Sequence, residues 1–351
     1  MKLFAAIDIG SCEVEMKIFQ ITSGKGIKEI DCVCHRMELG KDVYRDGRIG
    51  VEMTDELCRV LNDFVRIMKG YRVDDWRVCA TSAVREAGNQ LVFLDRVKRH
   101  TGLEVEVLSN ASQRFMDYKS IASRENEFNR IIQKGTAIVD VGGGSIQISL
   151  FDKDRLVASQ NMKIGNLRLR ERMMNEGVSL KHYETLLTEV VKNEFLSYKK
   201  LYLKDRVISN LIVVGDHIGD AVHKNVMTRA DFLNFYDDMI YRSDEDAAGR
   251  CEVPEDVISV LRPSLVVYRC FLEAADVENI WMPGLHLTDG MAYEYAQQNR
   301  LLKLGHDFDE DILAAARNAA KRYQCSKSHI KVCEDLAVGI FDKIKKSQGF
   351  D

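Results

Sequence analysis

Two stretches of this chain, LFAAIDIGS from Leu3 and TAIVDVGGGS from Thr136, repeat one pattern: an apolar strand ending on an aspartate, a glycine bend, then a second strand. Asp8 and Asp140 hold the same place in it. A chain that repeats such a unit is expected to build one fold twice. The length agrees, because 351 residues exceed the roughly 250 to 300 at which a single core stops growing. Two α/β halves and a small appendage are therefore expected, with the boundary in the polar stretch 123–134.

The rest of the chain reads consistently with that plan. VEMKIFQIT from Val14 alternates as a hairpin partner to the first strand, and a third strand is expected in IDCVCHRMEL from Ile30. Leu39 to Gly50 is rich in Gly, Asp and Arg and reads as loop. A helix is expected from Met53 to Lys69, capped by Thr54, with Leu57, Val60, Leu61, Phe64 and Met68 on one face. WRVCATSAVREAGN from Trp76 gives a strand, a small-residue turn and a helix start, followed by a helix near Leu91 to Lys98 and a strand in EVEVLS. In the second half the spacing predicts helices over His182–Lys199 and Glu255–Ala275, and strands over Leu211–Val214 and Asn279–Met282. Beyond Leu302 two stretches with helical spacing predict a hairpin that packs on the second half or begins a further domain. Trp76 and Trp281 are expected to pack against helices, and Met173 and Met174 to fill the core.

Composition excludes several functions. Hydrophobic residues make up 46% and charged residues 30%, and no apolar run approaches the ~20 residues that span a bilayer. The start MKLFAAIDIG meets Asp8 too early for a signal peptide and reads as a strand, so a cytoplasmic protein without a membrane role is expected. Nine cysteines without a CxxC pair read as reduced thiols, and the scattered histidines predict no structural zinc. A net charge of −4 offers no global attraction for DNA, so any polyanion must be held by a local pocket.

Glycines at a strand end let backbone N–H groups approach an oxyanion, which suits GGGS at Gly142–Ser145. One such loop is equally a plain tight hairpin. Two matching Asp-x-Gly bends tip the reading towards phosphate, since opposed hairpins can hold both sides of a phosphate or an ion.

IDIGS at Ile7–Ser11, ATSAVREAGN at Ala80–Asn89 and VDVGGGS at Val139–Ser145 resemble the exopolyphosphatase and guanosine pentaphosphate phosphatase family, with further matches at Val107–Ser109, Ser159–Leu169 and Thr288–Glu294. The resemblance implies an α/β fold of two ribonuclease H-like (actin-like) domains, 1–125 and 126–302, with a cleft between them and a C-terminal helical segment, 303–351. It also implies hydrolysis of terminal phosphate from polyphosphate or guanosine pentaphosphate with Mg2+. Asp8, Gly10, Ser11 and Cys12 would form the first phosphate loop, and Asp140, Gly142, Gly143, Gly144 and Ser145 the second, with Asp8 and Asp140 on the metal and Asp140 orienting the attacking water. Arg85 matches a phosphate-contacting arginine, its plain alternative being an ion pair with an acid such as Glu86. Arg168 would orient structure or touch ligand. Guanosine penta- or tetraphosphate and polyphosphate are the implied partners, and a homodimer is compatible with the resemblance.

Three departures stand out. Cys12 and Glu13 replace an amide and a small polar residue in the first loop. After VLS the family carries a glutamate general base, where this chain has Gln113, and an amide cannot take a proton from water at neutral pH. Asp117, four residues on, would share a helix face and offers a substitute. The GDHIGD turn at Gly215–Asp220 adds Asp216 and Asp220, with His217 more simply hydrogen-bonded than catalytic. An anhydride phosphohydrolase and a weakened homologue that binds the same anions as a sensor both follow from these residues; a sugar or acetate kinase of the broader fold fits ATSAVREA less well.

Overall fold

The computed structural model describes residues 1–175, 180–203, 206–215, 218–302, 306 and 308–349. The repeat seen in the sequence becomes two sheets of the same order. In the first, β1 (Lys2–Ile9), β2 (Glu13–Thr22), β3 (Gly26–Arg36), β4 (Asp75–Ala80) and β5 (Val105–Val107) lie as β3-β2-β1-β4-β5. In the second, β6 (Thr136–Val141), β7 (Ile146–Asp152), β8 (Arg155–Met162), β9 (Asn210–Val214), β10 (Val226–Thr228) and β11 (Asn279–Trp281) lie as β8-β7-β6-β9-β11-β10. Each begins with an antiparallel hairpin and continues with a parallel strand, β4 beside β1 and β9 beside β6. Even the register repeats: Asp8 faces Glu15 across the first hairpin, and Asp140 faces Gln147 across the second.

Helices cover the sheets. They run α1 (Leu39–Asp46), α2 (Val51–Tyr71), α3 (Ser82–Glu86), α4 (Gln90–Thr101), α5 (Asn110–Ala122) and α6 (Glu125–Ile131) in the first part of the chain. After β8 come α7 (Asn166–Asn175), α8 (Leu180–Tyr198), α9 (Ile218–Val222), α10 (Arg229–Met239), α11 (Asp244–Cys251), α12 (Glu255–Ala274), α13 (Leu287–Gln298), α14 (Phe308–Arg322) and α15 (Lys327–Ile344). None of the described helices is long and apolar enough to cross a membrane.

Strand alternation sorts the faces. Ala5, Ile7 and Ile9 of β1 join the core under α2 and α4. Phe4 and Ala6 point the other way, into a cluster with Met116 of α5 and Met291, Ala292 and Tyr295 of α13. The same holds in the second half, where Ala137, Val139 and Val141 face α8 and α12, while Ile138 faces Tyr118 and Ile121 of α5. Asp8 and Asp140 share parity with the second set, so both turn towards the layer that holds α5. The helix α13 follows the second sheet in sequence yet packs against α5, β1 and β2 of the first.

Several local expectations are corrected. Residues 39–50 are no plain loop, because Leu39–Asp46 forms α1, held by Gly40 N–H on the Ser11 carbonyl and closed by Gly47 in the left-handed region. Thr54 does not cap α2; Gly50 does, and the Thr54 hydroxyl donates to the Gly50 carbonyl from inside the first turn. The stretch 123–134 contains α6, whose Phe128 is fully buried, together with Ile132 just beyond it. Trp76 is half exposed and Met174 mostly exposed, while Met173 is buried. At the C-terminal end α14 packs on β8, whereas α15 buries none of its side chains.

Candidate functional site

Both glycine bends close in the same way. Gly10 N–H donates to the Glu13 carbonyl at 2.9 Å, and Gly142 N–H to the Ser145 carbonyl at 3.0 Å. The two bends touch. A Cβ added to Gly143 would lie 2.7 Å from Cys12's neighbour Ser11 Cβ and 2.9 Å from Cys12 Sγ, so only glycine permits this approach. Gly165 is packed as tightly on Gly142 and Gly143: a Cβ added there would lie 2.4 Å from the Gly143 carbonyl. The N–H groups of Ser11, Cys12, Gly143 and Gly144 have no acceptor among the described residues, which leaves them for an anion.

Between the bends lies a cavity of about 110 Å³. Asp8, Gly10, Ser11, Cys12, Gln113 and Asp117 line it from the first half, and Asp140, Gly142, Gly143 and Ser145 from the second. Ten predicted positions therefore meet in one place. Two do not line it. Gly144 turns instead to Tyr44 and Ser82, and Arg85 donates to the Leu108 carbonyl at 2.6 Å and to Gln113 Oε1 at 3.4 Å. Arg168 also stays outside the cleft: it donates to the Gly144 carbonyl and Glu86, and its guanidinium stacks over Tyr44 at 4.0 Å. It holds structure. Asp216 and His217 lie outside the described residues.

A hydroxyl triangle fixes the first bend. Ser11 Oγ lies 2.8 Å from both Tyr44 Oη and Ser82 Oγ, which are 3.2 Å apart. Tyr44 comes from α1 and Ser82 opens α3. On the other side Gln113 bridges charge: its Oε1 accepts from Arg85 while its Nε2 donates to Asp140 Oδ2 at 3.4 Å. Gln147 also donates to that oxygen, at 3.3 Å. Gly215, with φ +77°, passes so near Asp140 that a Cβ would sit 2.5 Å from its Oδ1.

The carboxylates differ in state. Burial, then Glu15 and Glu13, raises the Asp8 carboxyl well above its ordinary value, and its Oδ1 is buried without a partner. Burial, then Asp140 and Asp8, does the same to Asp117, which is 5% exposed and whose Oδ2 is also unpartnered. Cys12 stays a neutral thiol, pushed up to about 12 by burial and then Glu13, with Sγ 3.9 Å from Asn166 Oδ1. Buried but partnered, Glu15 behaves oppositely. Burial opposes its charge, yet His286 Nδ1 at 2.7 Å and a hydrogen bond from Thr288 hold it at about 2.

Glu15, Thr81, Ser82, Asn166, Gly215 and His286 also line the cavity, and the motif reading passed over most of them as site residues. Glu13, Glu15 and Lys17 alternate with Val14, Met16 and Ile18, a pattern that reads as one wet face of a strand. That face is covered by α13, whose Asp289 takes Lys17 Nζ at 3.0 Å. A charged strand face and the HLTDG segment from His286 at the head of a distant helix carry the only signal.

Comparison with known proteins agrees with this architecture. The Ppx/GppA phosphatase family matches over residues 17–299, so the first bend lies just before the matched range and the second inside it. Exopolyphosphatase 2 of Mycobacterium tuberculosis is 27% identical over 180 residues, covering 49% of this chain and 54% of that protein. Guanosine-5'-triphosphate,3'-diphosphate pyrophosphatase of Photobacterium profundum is 20% identical over 97% of this chain and 67% of its own length. The chain thus spans about half to two thirds of these relatives. The crystal structure of the Aquifex aeolicus member of the Ppx/GppA family superposes with a TM-score of 0.68 at 22% identity, covering 85% of this chain and 98% of that one. The shared feature is the fold, two sheets of the actin-like kind.

Proposed function

The chain belongs to the Ppx/GppA phosphatase family, and on that premise we propose that its cleft hydrolyses the terminal phosphoanhydride bond of inorganic polyphosphate or of guanosine pentaphosphate. The observation that carries the reading is the contact of Gly143 with Ser11 and Cys12, which brings the free amides of both bends to one cavity. Amides so fixed stabilise charge on a phosphoryl group without reorganising, the larger part of phosphoryl-transfer catalysis.

An acid-lined cavity can receive an anion only if its charge is reduced. Without metal, burial keeps Asp8 and Asp117 protonated more readily than ordinary carboxyls, and Glu15 is matched by His286; a cation on Asp8 would displace its proton. Mg2+ fits what remains. Asp8 presents a buried oxygen with no partner, and Mg2+ takes one or two carboxylates together with water and substrate phosphates. No group of three or more His, Cys, Asp or Glu is gathered as a ligand set among the described residues, so Asp8 and Asp140 would hold the ion with the phosphates completing its shell. Bound there, it supplies positive charge to the phosphate oxygens.

Asp117 is the group on α5 placed to take the proton of the attacking water. It lines the cavity, its buried Oδ2 has no partner, and its raised pKa makes it a better base than a solvated carboxylate once ionised. Gln113 holds Asp140 in place through its amide and cannot serve as base itself.

That amide supports a second reading, in which the cleft binds these anions and signals without turnover. Phosphate release from long-chain polyphosphate and from guanosine pentaphosphate, measured with Mg2+ on the same preparation that is tested for binding, decides between them: turnover supports the hydrolase, and tight binding of an intact ligand supports the sensor.

A further inference from the structure

His286 stands just before α13 and lines the cavity beside the first bend. No lysine or arginine lines that cavity among the described residues, which makes His286 the one side chain there able to carry positive charge. It is held for that task from behind. Glu15 Oε1 engages Nδ1 at 2.7 Å, and Thr288 donates to the other Glu15 oxygen, so the carboxylate is fixed by two groups from the start of α13. With Nδ1 occupied, Nε2 is the nitrogen left for a ligand. The backbone N–H of His286 is itself tied to Asp289 Oδ2 at 2.9 Å, and the same oxygen binds Lys17. Four residues, Glu15 and Lys17 of β2 and Thr288 and Asp289 of α13, therefore set the ring, directly or through one another.

Resting on the phosphohydrolase reading, we propose that His286 is the cation that recognises the terminal phosphoryl group, its Nε2–H donating to a phosphate oxygen while the amides of the two bends hold the others. The Glu15 carboxylate keeps the ring in its doubly protonated, donating form, as a carboxylate behind an imidazole does. Glu15 is then a positioning residue and His286 a binding residue. Arg85, tied to Leu108 and Gln113 outside the cavity, leaves this position to the imidazole. One such donor suits recognition of a single chain end, since a long polyanion tracked along its length needs a row of cations.

The test uses tripolyphosphate with Mg2+ as the probe. Calorimetry on the full chain should show affinity falling about tenfold in His286→Gln, the loss of one charge-assisted hydrogen bond, and largely kept in His286→Arg, which retains a cationic donor. Because a substituted chain can fail to fold, the wild type is also followed by NMR: tripolyphosphate should move the His286 imidazole resonances. A folded His286→Gln that binds as tightly as wild type, or resonances that stay still while tripolyphosphate binds, overturns the role of His286 and leaves the phosphohydrolase standing. A wild type that binds no tripolyphosphate overturns both.

Discussion

The Gln113 side-chain amide donates to Asp140 Oδ2 over 3.4 Å while its carbonyl accepts from Arg85 at the same distance. An amide can face a cation and an anion at once; a glutamate at this place would meet Asp140 with like charge. The residue where a general base is expected has thus become a spacer. If the cleft is otherwise complete, Gln113→Glu restores a base beside Arg85, and phosphate release from polyphosphate should rise by about 10²-fold. No gain, in a variant that still binds the anion, would show that Asp117 already does this work.

Asp117→Asn tests the proposed base directly. Turnover should drop by about 10²-fold or more, with tripolyphosphate affinity little changed. The stability sign is opposite. A carboxyl whose folded pKa is raised binds its proton more tightly in the folded state, so its penalty is absent below pH ~4 and grows as the pH rises towards the folded value. In metal-free buffer at pH 7 the asparagine variant should therefore melt higher than wild type, and the two should converge in acid. Equal turnover in the two proteins would remove Asp117 from the chemistry.

Gly215 combines φ +77° with a virtual Cβ 2.5 Å from Asp140 Oδ1. Gly215→Ala should cost about 1–2 kcal/mol from the left-handed backbone alone, read as a lower chemical-denaturation midpoint. It should also push Asp140 aside and reduce turnover by more than the stability loss explains. A fully active variant would mean that the carboxylate position is not critical.

The Glu15–His286 pair makes stability depend on pH at both ends. Burial disfavours the imidazolium, yet Glu15 holds its pKa at about 9, so the stabilisation is complete below the free value of ~6.5 and is lost as the pH rises through about 9. For Glu15, held at about 2, it is present above ~4.5 and lost as the pH falls through about 2. Melting curves should show Glu15→Gln less stable than wild type near neutrality, with the gap closing above pH 9. A gap that stays constant across that range would show that the pair contributes no charge.

How far the chain could be read in advance depended on where the determining contacts lay. Local signals carried the two Asp-Gly bends, because strand alternation, aspartate and glycine all fall within a few residues, and the spacing of Gln113 and Asp117 placed both on one face of α5. The helix α1 escaped notice since Gly40, Asp42 and Gly47 are turn formers by propensity. It forms because Gly40 lets the backbone press on Ser11, Tyr44 and Leu167, a contact of the folded state. Glu15 and His286 were hidden for the same kind of reason: 271 positions separate them, and only the return of α13 to the first sheet turns an apparently wet strand face into a cavity wall.

The most direct measurement is a crystal structure with tripolyphosphate and Mg2+ soaked in. The account predicts one terminal phosphate bonded at once by amides of Ser11 or Cys12 and of Gly143 or Gly144, with the metal on Asp8 and Asp140. Density for the ligand outside the space between the two bends, or touching only one of them, would contradict it.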